Sequence, residues 1–268
     1  MLPVYLLFIL LTISIFASLA GTFLRLIFQE RSFWGWGQWS GESKEIGAFF
    51  LNLLTYPWGF IHRKPYEQVG TQKTLPIILV PGYGLNRLST FFLAFYLRRK
   101  GHPWVWCINH PIYKDDLLAF AKELDRKIQW YTHYTQQDKV HIIAHSMGGI
   151  VSMLSHQKHQ SPIASLTTLG TPWKGTKMHM LGLGKHVRQL APGHPIIQKM
   201  SLPPFPHLAI TADLDWILLP SENAILKNMQ NTQIKNIGHF GLLISHNCFQ
   251  KTHQFLCSYD CTDSLCDG

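Results

Sequence analysis

From residue 76 onward the chain alternates short apolar runs with longer amphipathic ones. The runs PIILV (76–80), PWVWCIN (103–109), VHIIA (140–144), IASLTTLG (163–170), HLAIT (207–211) and TQIKNI (232–237) read as strands. They are too short for independent helices, and Gly, Pro or Asn punctuates many of their ends. RLSTFFLAFYLRRKG (87–101), DDLLAFAKELDRKIQWYTHY (115–134), MGGIVSMLSHQK (147–158) and SENAILKNM (221–229) carry apolar residues at helical spacing. Strands alternating with helices imply crossover units. The expected fold class is therefore α/β, a mostly parallel sheet with helices on both faces. Ligand sites in such sheets form at the carboxyl ends of the strands.

The first 75 residues follow another pattern. Leu2 to Leu24 contains no charged side chain. At about 1.5 Å per residue it is long enough to span a ~30 Å hydrocarbon core. Residues 1–24 are thus expected to be a single-pass membrane anchor. The rival is a cleaved signal peptide, because Ser18-Leu19-Ala20 resembles a small-x-small cleavage site and would give a secreted or periplasmic protein; against it, no basic n-region precedes the run. Arg25 and Arg31 follow the run, which by the positive-inside rule weakly favours a cytoplasmic globular part. Residues 25–75 read as a membrane-proximal connection. SFWGWGQWSGES (32–43) is rich in Trp, a residue favoured at membrane interfaces. Gly47–Ile61 is apolar but too short to span. It can pack on the domain, lie at the interface or cover a cleft.

Composition sharpens this picture little. Of the 268 residues, 46% are hydrophobic and 15% charged, an ordinary globular balance with an apolar surplus that the N-terminus supplies. The net charge of +9 suits an acidic membrane surface or nucleic acid. No basic run concentrates that charge, however. Arg98-Arg99-Lys100 sits at the end of an expected helix, where cations suit the helix dipole. No nucleic-acid partner is expected, and the oligomeric state is open. Of the five cysteines, Cys257, Cys261 and Cys266 lie in a tail of residues 257–268, which can carry a disulfide or free thiols. Their spacing matches no standard zinc pattern. No metal or cofactor is expected.

The candidate chemistry lies in VHIIAHSMGGIVS (140–152). A serine between a buried strand and a helix start has its hydroxyl pushed above the sheet, beside the free N–H groups of the helix. Small residues are needed two before and two after the serine, where backbone and helix approach closely; Ala144 and Gly148 fill those positions. An acyl-transfer serine also needs a base, an orienting carboxylate and oxyanion donors. Asp213 and Asp215 end one expected strand. His239, between Gly238 and Phe240-Gly241, follows the last. VPGYG (80–84) offers a glycine turn whose N–H groups can face an oxyanion.

These segments together resemble the α/β-hydrolases, in particular the bacterial triacylglycerol lipases and related esterases, over residues 76–256. AHSMGG is the alanine form of their nucleophile elbow. TLGTPWKGT (168–176) resembles a strand-end segment of theirs, with Trp173 for the usual His. VRQLAPGHPIIQKM (187–200) and NIGHFGLL (236–243) resemble the segments before the acid strand and around the histidine. The resemblance implies Ser146 as nucleophile, His239 as general base and Asp215, rather than Asp213, as the acid. It also implies the backbone N–H groups of Tyr83 and Met147 as the oxyanion hole. The implied activity is hydrolysis of carboxylic, especially lipid acyl, esters at a membrane. An acyltransferase or thioesterase would use the same triad. A non-catalytic binding protein on this fold is the third alternative.

Overall fold

A computed structural model of the chain describes residues 7, 9–17, 19–20, 23, 36–61, 74–110 and 115–259. Six parallel strands form one sheet: β1 (Ile77–Val80), β2 (Val105–Cys107), β3 (Val140–His145), β4 (Ile163–Leu169), β5 (His207–Ala212) and β6 (Gln230–Ile234). Their order is β2-β1-β3-β4-β5-β6. The longer helices are α1 (Trp36–Thr55), α2 (Phe91–Arg99), α3 (Leu117–Thr135), α4 (Met147–His159) and α5 (His246–Cys257).

Successive strand residues face opposite sides of a sheet, and here each side has its own core. Ile78, Val80, Ile142 and Ala144 pack with Leu117, Leu124 and Ile128 of α3 and Ile150 of α4. Ile77, Leu79, Ile143 and Ile210 pack with Leu93 and Leu97 of α2 and Phe249 and Leu256 of α5. Burial on both faces explains why β1 is an unbroken apolar run, and β3 apolar but for His141 and His145, rather than alternating ones. Each such side chain contributes about 1.5–3 kcal/mol over its exposed state.

The strand order locates the site. From β1 the chain crosses through α2 to β2 at one edge, then returns through α3 to β3 on the other side of β1. Connections therefore diverge at the carboxyl ends of β1 and β3. A crevice opens at such a switch point. VPGYG ends β1 there, and Ser146 ends β3.

All six expected strands form, the last over Gln230–Ile234 rather than 232–237. Two residues past its end Asn236 takes a left-handed φ of 55°. The helix expected at 221–229 does not form. Only Ser221–Ala224 makes a 3₁₀ turn, after which Ile225 is extended. The segment is spent on a neighbouring loop instead: Asn223 donates its Nδ2 to the Gly175 carbonyl (2.8 Å) and accepts Lys174 N–H at its own (3.1 Å). Such polar bonds compete with a helix. Two of the longer helices were not expected. One is α5. The other is α1, which absorbs most of Gly47–Ile61 and packs Ala48 and Phe49 against Phe240 and Leu243.

Among the described residues no helix is long and apolar enough to cross a membrane. The expected anchor, Leu2–Leu24, lies partly outside the described residues. Those of its residues that are described are helical, and Phe16, Leu19 and Phe23 among them are exposed. Cys261 and Cys266 also lie outside, and no disulfide joins Cys107, Cys248 and Cys257 to one another.

Candidate active site

Ser146 leaves β3 at φ 54° and ψ −124°. That is a positive φ without the ψ of the left-handed helix, a region most side chains avoid. The chain is held there on both sides. Ser146 N–H donates to the Leu169 carbonyl (2.8 Å), and its own carbonyl accepts from Gly149 N–H (3.1 Å) and Thr171 Oγ1 (2.9 Å). Such strain persists only where surroundings over-determine it. Gly148 is required by contact: a Cβ there would meet the Val80 and Pro81 carbonyl oxygens at 2.7 Å. Ala144, two residues before the serine, is fully buried in β3 without conflict.

Met147 heads α4, whose first N–H groups have no carbonyl partner within the helix. Tyr83 follows Gly82 at the end of β1. A Cβ on Gly82 would come within 2.9 Å of Ser146 Cβ, so the β1 turn lies directly over the serine. The Tyr83 hydroxyl reaches across to the segment after β4, donating to Leu183 O (3.1 Å) and accepting from Leu183 N–H (2.9 Å).

His239 and Asp215 meet from the loops after β6 and β5. His239 Nδ1 donates to Asp215 Oδ2 at 2.7 Å, and both side chains are almost fully buried. Asp215 Oδ1 accepts from Ile217 N–H (2.9 Å) and Leu218 N–H (3.0 Å), which fixes the carboxylate plane. Asp213 instead accepts from Ile237 N–H (3.2 Å) and braces the turn before His239. The geometry thus pairs Asp215, not Asp213, with the imidazole.

The electrostatics follow from burial. Desolvation alone would lower the His239 pKa, but the charge and hydrogen bond of Asp215, with the charge of Glu45, outweigh it and raise it above the ordinary value. His145, one residue before the serine, goes the other way. Burial first and His239 second hold it well below the usual range, so it is neutral. Its Nε2 lies 3.2 Å from the His239 carbonyl, which only accepts; the proton must therefore sit on Nε2. This bond ties the His239 backbone to the residue beside Ser146.

Two residues escaped the sequence reading. His145 sits inside the AHSMGG motif and was visible, though nothing in its spacing marked it. Glu45, on α1, is buried and accepts from Phe240 N–H (3.0 Å) and Gly241 N–H (2.8 Å). Gly238, before His239, makes room for Glu45: a Cβ there would lie 2.6 Å from Glu45 Oε2. Among the described residues, His102, His253 and Cys257 bring potential metal-ligand atoms within 4.8 Å of one another. His102 precedes β2, at the amino ends of the strands, whereas Ser146 follows β3 at their carboxyl ends.

Residues 115–189, which include α3, β3, the serine turn and β4, match the model of a PGAP1-like alpha/beta domain. No curated protein matches the chain. Among solved structures it is similar to lipase B of Aspergillus fumigatus, at 17% identity and a TM-score of 0.62, over 77% of this chain and 60% of that one. It therefore spans less than two thirds of that lipase. It is also similar to the mature lipase BlEst2 of Bacillus licheniformis, at 18% identity and a TM-score of 0.55, over 73% and 94%. A third likeness is to MGS-MChE2, an alpha/beta hydrolase enzyme from a lagoon-sediment metagenome, at 16% identity and a TM-score of 0.54, over 74% and 98%. The chain has the α/β-hydrolase fold, and lipases and esterases are among its structural neighbours.

Proposed function

We propose that the protein is a serine hydrolase that cleaves carboxylic esters, lipid acyl esters above all, from a membrane-anchored position. The observation that carries this reading is the strained Ser146 at the switch point, beside a buried His239–Asp215 pair. His239 keeps its Nδ1 proton on Asp215, which leaves Nε2 to take the Ser146 proton as Oγ attacks the ester carbonyl. Asp215 holds the ring in that tautomer and stabilises the imidazolium. The N–H groups of Met147 and Tyr83 receive the oxyanion, each worth about 3–4 kcal/mol. The imidazolium returns its proton to the leaving alkoxide, and water then hydrolyses the acyl-enzyme by the same base.

Three features support a lipid substrate. The N-terminal segment Leu2–Leu24 would hold the enzyme where acyl esters reside. Met180, Leu181 and Leu183 are exposed on the segment that Tyr83 joins to the site. Trp58 and Phe60, in the 3₁₀ turn after α1, are exposed as well.

The test uses the full chain in detergent with p-nitrophenyl esters of graded length and a fluorophosphonate probe. Each CH₂ that enters an apolar cleft is worth about 0.8 kcal/mol, roughly fourfold in kcat/KM. The ratio should rise from acetate to at least octanoate, and Ser146→Ala should abolish both turnover and labelling. Undiminished labelling of that variant removes Ser146 as nucleophile. A profile that peaks at acetate removes the lipid preference.

A further inference from the structure

Glu45 has no role in the mechanism above, yet it is buried beside it. Its carboxylate lies between Gly238 and Gly241 and receives the first two N–H groups after His239, those of Phe240 and Gly241. They belong to the start of the 3₁₀ turn Phe240–Leu243. One helical turn on, Phe49 packs its ring on Phe240 at 4.8 Å. A hydroxyl or amide oxygen would satisfy these N–H groups at lower desolvation cost. A carboxylate adds a charge, and in a buried site that charge is felt by whatever ionises nearby.

Two ionisable groups act on it: His239, after β6, and Asp215, after β5. His145, at the end of β3, is not among them; burial and the charge of His239 hold it well below the usual histidine range. Arg87, on the 3₁₀ turn Arg87–Thr90 that also touches α1, gives its guanidinium to the Ile61 carbonyl.

We propose, resting on the triad reading, that Glu45 is a positioning residue for His239: it clamps the backbone that carries the imidazole and supplies a second negative charge that stabilises the imidazolium formed in turnover. Burial pushes the Glu45 carboxyl up to about 7, with the Phe240 and Gly241 N–H groups and His239 pulling it back down. It therefore titrates in the range where a histidine base does, and the two protons are coupled. The helix before the sheet thus contributes to the acid–base chemistry of the site.

The experiment uses the full chain in detergent, unaltered and as Glu45→Gln and Glu45→Asp. It measures kcat/KM against pH for a soluble ester, the His239 ring titration by NMR, and fluorophosphonate labelling. In Glu45→Gln the acid limb of kcat/KM and the His239 pKa should both fall by about half a pH unit or more, and kcat should drop severalfold. Glu45→Asp keeps the charge on a shorter arm. It should lose rate while its acid limb stays nearer that of the unaltered protein. A Glu45→Gln variant that is slower at every pH, with limb and His239 titration unmoved, overturns the inference. If that variant does not fold, the unaltered protein decides: the His239 titration should bend a second time where the Glu45 carboxyl carbon titrates, and a single independent step overturns the inference. Failure of the triad reading is distinct, because it would show as an absence of labelling in the unaltered protein.

Discussion

Replacing Ser146 by glycine should stabilise the protein while abolishing its chemistry. The residue is held at φ 54° and ψ −124° by three hydrogen bonds to its own backbone, those with Leu169, Gly149 and Thr171. A non-glycine residue in so sparsely populated a region costs about 1–3 kcal/mol. Glycine adopts it freely, but loses about 0.5–1 kcal/mol through the greater freedom of its unfolded chain. Alanine is the proper reference, since it also lacks the hydroxyl but keeps Cβ and the strain. Glycine should then exceed alanine by roughly 0.5–2 kcal/mol, or about 1–8 °C in Tm for a domain of this size. Differential scanning calorimetry of Ser146→Gly and Ser146→Ala, in the same detergent and at one pH, reads the difference directly, and both should be inactive. Equal stability, or a less stable glycine variant, would refute the claim that the serine turn stores strain.

Asp215→Asn should lower kcat by orders of magnitude, up to about 10⁴-fold, because the imidazole loses the partner that fixes its tautomer. Asp213→Asn keeps an oxygen for Ile237 N–H and should cost far less; steady-state kinetics that rank the two the other way would move the acid by two residues. Glu45 also predicts a slope of stability with pH. Its folded pKa of about 7 exceeds the ordinary value of 4.5, so the folded state holds this proton more tightly, and stability should fall as pH rises between the two. The loss amounts to about 3 kcal/mol, and Glu45→Gln should abolish it in urea melts at pH 5 and pH 8. For location, an uncleaved Leu2–Leu24 should resist carbonate extraction from membranes and keep Met1 or Leu2, whereas a mature N-terminus at Gly21 would show a cleaved leader.

What the sequence made legible follows from which signals are local. Buried strands announce themselves as short apolar runs, so β1 through β5 stood within a residue or two of their runs. The helix expected at 221–229 failed because its apolar spacing was real but its polar groups were claimed from outside, by Lys174 and Gly175. Periodicity records which side a residue prefers, not which partner takes its backbone. Helix α1 was hidden for the reverse reason. A stretch as apolar as Gly47–Ile61 suits a membrane interface, a lid or a core, and only the docking of Phe49 on Phe240 separates these.

The same division runs through the site. Ser146 and His239 stood out as candidates because each sits in a turn with local requirements: small residues around the serine, glycines around the histidine. The choice between Asp213 and Asp215 was not local. Both are acidic residues after the same strand; the resemblance favoured Asp215, and the hydrogen bonds show which carboxylate meets His239 and which braces the turn. Glu45 was least legible of all. It precedes the first strand, and nothing in its neighbourhood of sequence distinguishes it from a solvated glutamate on an amphipathic helix. Yet the glycine spacing that marked the histidine loop was its trace. At Gly238 a carboxylate occupies the space a Cβ would take; at Gly241 the Ile237 side chain does, with that carboxylate just beyond it. A gap in one segment is thus evidence of an occupant supplied by another. That kind of signal can be noticed in a sequence, but it can be assigned only once the fold brings the two segments together.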